Sequence, residues 1–295
     1  MRETNTVMVV GAGAMGAQIA LLCAARGLEV TLTEVDPRMR ETAIARITAL
    51  GARQVEKGRL GAAALDGAIA RISTLAAIDE APEVDLAIEA VTENRELKRK
   101  VLGELDMHFS GGTIIASNSS SFVPSSLTDS IAARDRFLNI HFFNPVLSMR
   151  CVEVIACPET SADTLAGAIA FVERIDRLPL VVKKEIPGFI ANRILNAVRD
   201  EALHLYEGGY ADIEAIDLAC RHALGYPMGP FELMDLTGID IGYLTKVARH
   251  EETGNPADAP STTVARLVEQ GTLGRKTGQG FYHYDDQGRR GAPAI

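Results

Sequence analysis

The sequence has no tryptophan and only four cysteines, and it has no long apolar run. The cysteines are scattered, without a CxxC pair and without a histidine at metal-ligand spacing, so neither a disulfide framework nor a metal site is expected. Each of them falls in an apolar or helical stretch, which favours small, reduced core residues. They are Cys23, Cys151, Cys157 and Cys220.

Positive charge is also scarce, with 30 basic against 39 acidic residues and a formal net charge of −9. This balance disfavours a nucleic-acid partner, and an anionic ligand would need basic groups concentrated at its own site. No apolar segment approaches the length of a membrane span. The first apolar strand begins within six residues of Met1, which leaves no room for a signal peptide. We therefore expect a cytoplasmic protein without membrane contact.

The first part of the chain alternates short β-branched runs with helical stripes. The run "TVMVV" is followed by a stripe at Met15, Ile19 and Leu22, and "EVTLTEV" is followed by a long helix that starts at Asp36-Pro37. Further strands are expected at "RISTL", "VDLAIEAV", "TIIASN", "FLNIHF", "CVEVIA" and "LPLVVK". Apolar strands alternating with helices indicate an α/β domain with a mostly parallel sheet, which we assign to residues 1–184.

The second part shows no convincing strand before its tail. Ile190, Ile194, Val198 and Ala202 mark a long helix, which we expect Pro187 to open. More helical stretches follow around 212–224, 230–250 and 261–270. We therefore predict an all-helical domain over residues 185–295.

A glycine motif, G-x-G-x-x-G, lies directly between the first strand and the first helix. Such a loop turns tightly, lets the backbone approach a pyrophosphate, and offers the helix N-terminus to phosphates. Glu34 lies eighteen positions after the last glycine, near the spacing of an acid that binds ribose hydroxyls, so NAD is favoured. Arg38 and Arg40 keep NADP open. The predicted cofactor loop comprises Gly11, Gly13, Ala14, Met15 and Gly16.

A histidine and a glutamate interrupt two consecutive apolar strands, "FLNIHF" and "CVEVIA". Alone, His141 could be a satisfied polar residue, and Glu153 could face solvent from an edge strand. The connection between the strands is short enough to make them neighbours, which would bring the two side chains within hydrogen-bond reach. A carboxylate on one imidazole nitrogen leaves the other free to take a hydroxyl proton during hydride transfer.

Eight motifs in order resemble the L-3-hydroxyacyl-CoA dehydrogenases, including the bacterial 3-hydroxybutyryl-CoA dehydrogenases. They are "GAGAMG", "IEAVTEN", "ASNSSS", "HFFNPV", "VEVI", "PGFIANR", "GYPMGPFEL" and "GRKTGQGFY". The resemblance covers residues 6 to about 284. It implies a Rossmann-type domain followed by a helical domain that supplies a homodimer contact, with an acyl-CoA substrate in the cleft between them.

The resemblance also implies roles for individual residues. His141 matches the family's catalytic base, Glu153 its orienting partner, and Ser120 the serine that holds the reacting oxygen. Asn144 and Asn192 match asparagines that line the site. The positions that match contacts to NAD are Glu93, Lys98, Asn144 and Lys276. Lys57 matches a contact to CoA, and it forms a local basic strip with Arg46 and Arg53.

Departures from the family pattern concern the acyl pocket. Glu34 replaces the usual aspartate, a change that should preserve the preference for NAD. Residues 147–151, "LSMRC", replace a more common Pro-Val-Met-Lys-Leu, and Leu50 stands where a CoA contact is often polar. The hypothesis is NAD-dependent oxidation of an L-3-hydroxyacyl-CoA. The alternatives are oxidation of a free hydroxy acid, such as a sugar acid or carnitine, and a non-catalytic, crystallin-like NAD-binding protein.

Overall fold

The strands of the first half form one sheet. The computed structural model describes residues 3–109 and 111–295, apart from the side chain of Glu252. Eight sheet strands lie within those ranges: β1 Thr6–Val10, β2 Glu29–Thr33, β3 Ile72–Leu75, β4 Leu86–Glu89, β5 Ile114–Ser117, β6 Phe137–Phe142, β7 Cys151–Ala156 and β8 Leu178–Val182. Their order is β3-β2-β1-β4-β5-β6-β7-β8.

The connectivity of the sheet is that of a dinucleotide-binding fold. All neighbouring strands of this sheet are parallel except β6 and β7, which are antiparallel. The order β3-β2-β1-β4-β5-β6 reverses direction between β1 and β4, and ligands of such sheets bind beside that switch point at the carboxyl ends of the strands. The predicted Rossmann-type fold with a mostly parallel sheet is confirmed.

Helices cover both faces of the sheet. They are α1 Ala14–Ala25, α2 Pro37–Glu56, α3 Ala62–Ala70, α4 Arg95–His108 and α5 Ala162–Arg174. In β1, Val7 and Val9 belong to an apolar cluster with α1, whereas Met8 and Val10 belong to a second cluster with α4. Because successive side chains of a strand point to opposite faces, this division means that both faces are buried.

The second compact unit runs from Ala191 to Ile295, and the first ends at Ile190. The second unit contains α6 Ala191–Glu207, α7 Ile213–His222, α8 Pro230–Thr237, α9 Ile239–Thr253 and α10 Thr262–Glu269. It also contains a two-stranded antiparallel ribbon, β9 Tyr282–Tyr284 and β10 Arg290–Pro293. This part of the chain is therefore helical but not all-helical.

Two buried carboxylates explain how the ribbon is held in the second unit. Asp217 of α7 accepts a hydrogen bond from the Tyr282 hydroxyl at 2.9 Å, and Asp235 of α8 accepts one from the Tyr284 hydroxyl at 3.0 Å. Main-chain N–H groups supply further donors to both carboxylates. Burial raises the pKa of both carboxyl groups above the usual aspartate value in spite of these bonds. The ribbon thus depends on long-range polar contacts.

The long helix begins later than its sequence suggests. Pro187 does not open α6, because Gly188 and Phe189 have φ angles of +78° and +48°, which a right-handed helix cannot contain. The helix begins at Ala191, beyond this turn. The helical stretch expected at 230–250 is likewise divided into α8 and α9 at Gly238, whose φ is +97°.

The cysteines are not all core residues. Cys23 and Cys157 are buried, but Cys220 is half-buried and Cys151 is exposed. Cys151 is the first residue of β7, where the strand emerges from the loop after β6, so the core prediction is wrong there. Among the residues that the structure describes, no helix has the length and apolar character that crossing a bilayer requires.

Candidate active site

The three glycines of the loop after β1 are needed for different reasons. Gly11 has a φ of +103°, and a Cβ there would lie 2.9 Å from the Ala90 carbonyl oxygen. A Cβ on Gly16 would lie 1.8 Å from the Gly11 carbonyl oxygen, so only glycine allows α1 to approach the loop so closely. A Cβ on Gly13 would meet nothing within 4 Å. The backbone is therefore open at the position where a pyrophosphate approaches in such loops.

The start of α1 and the end of β2 also fit a dinucleotide. Gly13 is the N-cap of α1 and has no side chain to bind the N–H groups of the first turn, which Ala14 and Met15 begin. The Glu34 carboxylate accepts hydrogen bonds from the N–H groups of Ala12 at 2.9 Å and Asp36 at 3.0 Å. This acid lies against the glycine loop, where a ribose with a free 2′-hydroxyl fits and a 2′-phosphate would be repelled.

His141 and Glu153 lie directly opposite each other in the β6–β7 pair. Opposite residues of an antiparallel pair project on the same face, and His141 Nδ1 is 2.8 Å from Glu153 Oε2. Both side chains are buried, at 4% and 0% exposure. The predicted contact is confirmed, whereas the catalytic roles remain predictions. In the tautomer in which Nδ1 donates to the Glu153 carboxylate, Nε2 is the nitrogen that can accept a proton.

Ser120 completes a hydrogen-bonded series that we call the catalytic series, Ser120–His141–Glu153. The Ser120 Oγ is 3.0 Å from His141 Nε2, and Ser120 itself is exposed in the loop after β5. The second Glu153 oxygen accepts the Ile190 N–H at 2.9 Å. Phe143 and Phe189 pack against the imidazole, with ring centroids 4.8 and 5.4 Å away. These contacts fix the imidazole ring in place.

The loop after β5 that contains Ser119, Ser120 and Ser121, here called the serine loop, is held by Glu93, which the family resemblance assigns to NAD. One Glu93 oxygen accepts hydrogen bonds from Ser119 Oγ at 2.6 Å, Ser120 N at 3.0 Å and Ser121 N at 2.8 Å. Burial alone would raise the pKa of Glu93, but the Lys98 charge and the serine hydrogen bonds bring it below its usual value. Glu93 is therefore ionised at neutral pH and anchors the loop.

Lys98 is enclosed in the first unit. Its ammonium lies 2.8 Å from Glu89 and 3.2 Å from Glu93, and its side chain is 1% exposed. Glu89 is fully buried at the end of β4, and it was not among the site residues predicted from the sequence. The signal was present, because Glu89 interrupts the apolar run "LAIEAV" as Glu153 interrupts "CVEVIA".

The remaining predicted site residues lie in other loops and helices of the two units. Asn144 is exposed in the loop after β6, and its Oδ1 is 3.4 Å from Gln18 Nε2. Lys57 is exposed at the end of α2. Asn192 and Lys276 belong to the second unit, where Asn192 lies in the first turn of α6 and Lys276 pairs with both Asp240 oxygens at 2.6 Å. Their roles remain predictions.

The fold and the site together define a nicotinamide-dependent dehydrogenase with a histidine–carboxylate pair. Comparison with known proteins gives the family. The family model "3-hydroxyacyl-CoA dehydrogenase, NAD binding domain" matches residues 6–186, and "3-hydroxyacyl-CoA dehydrogenase, C-terminal domain" matches residues 188–284. The chain belongs to the 3-hydroxyacyl-CoA dehydrogenase family, and the predicted cofactor, NAD, is confirmed.

Individual relatives agree with this assignment. The chain is 38% identical to the mitochondrial hydroxyacyl-coenzyme A dehydrogenase of Homo sapiens, covering 94% of this chain and 90% of that protein. It is 34% identical to a probable 3-hydroxybutyryl-CoA dehydrogenase of Bacillus subtilis, covering 97% and 99%. The crystal structure of (S)-3-hydroxybutyryl-CoA dehydrogenase from Ralstonia eutropha superposes with a TM-score of 0.89 at 36% identity, covering 96% of this chain and all of that one.

Proposed function

We propose that the protein oxidises the hydroxyl group of an L-3-hydroxyacyl-CoA to a 3-oxo group with NAD, in a reversible reaction. The observation that carries this proposal is the catalytic series, in which Ser120, His141 and Glu153 are joined by hydrogen bonds of 3.0 and 2.8 Å. Ser120 follows β5 and His141 lies near the end of β6. The glycine loop follows β1, so Ser120, His141 and this loop all lie at the carboxyl edge of the sheet.

Oxidation of an alcohol removes a proton from oxygen and a hydride from carbon. His141 Nε2 accepts the proton, because Nδ1 is committed to Glu153. Glu153 then faces an imidazolium and stabilises its charge, while the Ser120 hydroxyl holds the substrate oxygen beside Nε2. Bound NAD supplies the hydride acceptor. Gly13, the N-terminus of α1 and Glu34 are the groups that would hold it.

The acyl-CoA part of the proposal rests on motif positions and on local charge. Asn192 is proposed to hold the thioester carbonyl, and Asn144 to line the site. Lys57 is proposed to bind the CoA phosphates with Arg46 and Arg53, which follow one another along α2 at helical spacing. Proteins named 3-hydroxybutyryl-CoA dehydrogenase among the relatives support this substrate class.

A paired assay tests the substrate class. The enzyme is supplied with NAD and either (S)-3-hydroxybutyryl-CoA or free (S)-3-hydroxybutyrate, and NADH absorbance is followed. We expect turnover of the thioester and little turnover of the free acid. Preference for the free acid would instead support the hydroxy-acid alternative. Firm NADH binding without turnover of any acyl-CoA would support a non-catalytic role.

Chain length is best addressed by the same assay with acyl-CoAs of graded length and branching. The divergent segment, residues 147–151, covers the second half of the connection between β6 and β7 and the first residue of β7. Its Ser148 hydroxyl accepts a hydrogen bond from Arg59 at 3.0 Å, and its Met149 is exposed. We propose that this segment sets the preferred acyl group.

We further propose that the protein is a homodimer through its second unit. Several large apolar side chains of that unit are exposed, namely Ile194, Leu218, Leu224, Leu236, Ile241 and Leu244. Ile194 also lines an apolar hollow of about 370 Å³, together with Ala191, Leu195, Val198, Tyr226, Met228, Pro230 and Leu233. An exposed apolar surface of this kind usually marks a protein interface.

A further inference from the structure

A buried ion pair, Lys98–Glu89, is linked to the serine loop by hydrogen bonds and takes no part in the proposed proton transfer. Lys98 Nζ is 2.8 Å from Glu89 Oε1, and the two side chains are 1% and 0% exposed. The ammonium also contacts Glu93 Oε2 at 3.2 Å and the Val91 carbonyl oxygen at 3.3 Å. Burying such a pair often stabilises a fold no more than apolar side chains would, so stability alone does not account for it.

The pair holds the serine loop from two directions. Glu89 Oε2 accepts the Ser117 hydroxyl at 2.6 Å, and Ser117 Oγ in turn accepts the Ser119 N–H at 3.1 Å. Glu93, on the other side of Lys98, accepts the N–H groups of Ser120 and Ser121. Lys98 thus contacts both carboxylates. Glu89 holds Ser119 through the Ser117 hydroxyl, and Glu93 accepts hydrogen bonds from Ser120 and Ser121.

We propose that Lys98 is a positioning residue for Ser120, acting through Glu93 and Glu89. The inference rests on the proposed function, because it concerns the serine of the same catalytic series. With Lys98 in place, the two carboxylates are held together and the Ser120 hydroxyl stays in reach of His141 Nε2. This role differs from the contact to NAD that the family resemblance implies, because the ammonium is directed at Glu89, Glu93 and the Val91 carbonyl inside the first unit.

The first test compares Lys98→Met with Lys100→Met. Lys100 lies on the same helix, but its side chain is 73% exposed, so the control removes the same charge without touching the loop. We expect Lys98→Met to lower kcat by about 10- to 100-fold, the order of loss that a misplaced catalytic group causes. NADH affinity is measured alongside by fluorescence titration, and kcat is taken at saturating NAD, so that a change in cofactor affinity does not enter the comparison. A weaker NADH affinity with unchanged kcat would overturn the proposal.

A double-variant cycle separates positioning from other roles. Ser120→Ala removes the hydroxyl that Lys98 is proposed to position, so adding Lys98→Met to it should lower kcat little further. If Lys98→Met lowers kcat by the same factor with and without Ser120, the two residues act independently and the proposal fails.

Lys98→Met leaves the buried Glu89 carboxylate without its cation, so the folding of this variant is checked separately. Should that variant not fold, Glu89→Gln/Lys98→Met removes both charges and takes its place in the cycle. Glu93→Gln is a third choice, because its side chain is 37% exposed and tolerates the change. Each is expected to show the same dependence on Ser120, and additive losses in the folded variants would contradict the proposal.

A readout without substrate distinguishes this inference from the proposed function. The ¹⁵N signals of the His141 ring, assigned by their loss in His141→Ala, report the hydrogen bond at Nε2. In Lys98→Met they should move toward their positions in Ser120→Ala, while Lys100→Met leaves them unchanged. Wild-type signals in Lys98→Met would refute the positioning role, whatever the enzyme's substrate proves to be.

Discussion

His141 is a buried imidazole with a different partner on each nitrogen. Glu153 contacts Nδ1 and Ser120 contacts Nε2, so the neighbours decide which nitrogen is available as a base. Phe143 and Phe189 restrict the ring's rotation. A residue with this environment should be far more sensitive to substitution than another histidine of the same unit.

Removing the imidazole should abolish catalysis but not cofactor binding. We expect His141→Ala to lower kcat by about a thousandfold, within the range for a lost general base. NADH affinity should be unchanged, because the glycine loop and Glu34 are distinct from the ring. His108→Ala is a matched control, since His108 is half-buried at the end of α4 and its Nε2 bonds to the Ala81 carbonyl. Wild-type kcat in His141→Ala would exclude the proposed mechanism.

Replacing the carboxylate should change the histidine's tautomer. In Glu153→Gln, an amide N–H can donate to Nδ1 and so favour the proton on Nε2, where it blocks proton acceptance. We expect kcat to fall by about 10²- to 10⁴-fold, as when a histidine loses its orienting acid. Steady-state kinetics and circular dichroism together check this expectation. A large loss of kcat with a native spectrum supports it, and a loss caused by unfolding does not.

Single elements differ in how well the sequence predicts them. The strand β7 was predictable because a short, continuous apolar run with one acid is typical of a buried strand, and its neighbour β6 gave the acid a partner. The helix α3 was missed because its Ala- and Gly-rich sequence gives no apolar stripe. The ribbon β9–β10 was missed because its tyrosines depend on Asp217 and Asp235, which lie 49 to 65 residues earlier in sequence. Glu89 was overlooked because its partner Lys98 lies on a helix and resembles a surface residue.

The junction of α6 and α10 provides a test of stability against pH. Glu207 accepts hydrogen bonds from Ser261 Oγ at 2.7 Å, Thr262 Oγ1 at 3.1 Å and Thr263 N at 3.0 Å. Burial opposes its ionisation, but these bonds bring the pKa of Glu207 below its usual value. A lowered pKa in the folded state means that the stabilisation is present above the unfolded pKa and is lost as pH falls through the folded pKa.

We expect Glu207→Gln to lower the free energy of unfolding at pH 7 by no more than about 1 kcal/mol, because solvent screens this exposed group. The difference from the wild type should be full above the usual glutamate pKa and shrink as the pH falls through the lowered pKa of folded Glu207, where the wild-type carboxyl also becomes neutral. Urea unfolding at several pH values measures both quantities. A constant difference across that range would show that the carboxylate charge is not the cause.

On the scale of the whole molecule, a net negative charge is combined with exposed apolar side chains. The net charge of −9 favours solubility, yet the second unit exposes several large apolar side chains. Composition alone did not predict this surface, because an exposed apolar side chain and a core one look alike in a helical stripe. Ile194 illustrates the point, since it belongs to the stripe from which α6 was predicted but is 58% exposed.

The proposed homodimer makes a prediction for α9. Ile241 and Leu244 are 58% and 63% exposed, and their separation by three residues places them on one face of the helix. Burying an introduced aspartate in an apolar contact is costly, so Ile241→Asp/Leu244→Asp should shift the protein from a dimer to a monomer of 31.6 kDa. Light scattering after gel filtration measures this mass. Met107→Asp, at an 81% exposed apolar position of the first unit, should leave the mass of the wild type unchanged. If the wild type is already a monomer, or if the α9 variant remains a dimer, this face does not join the subunits.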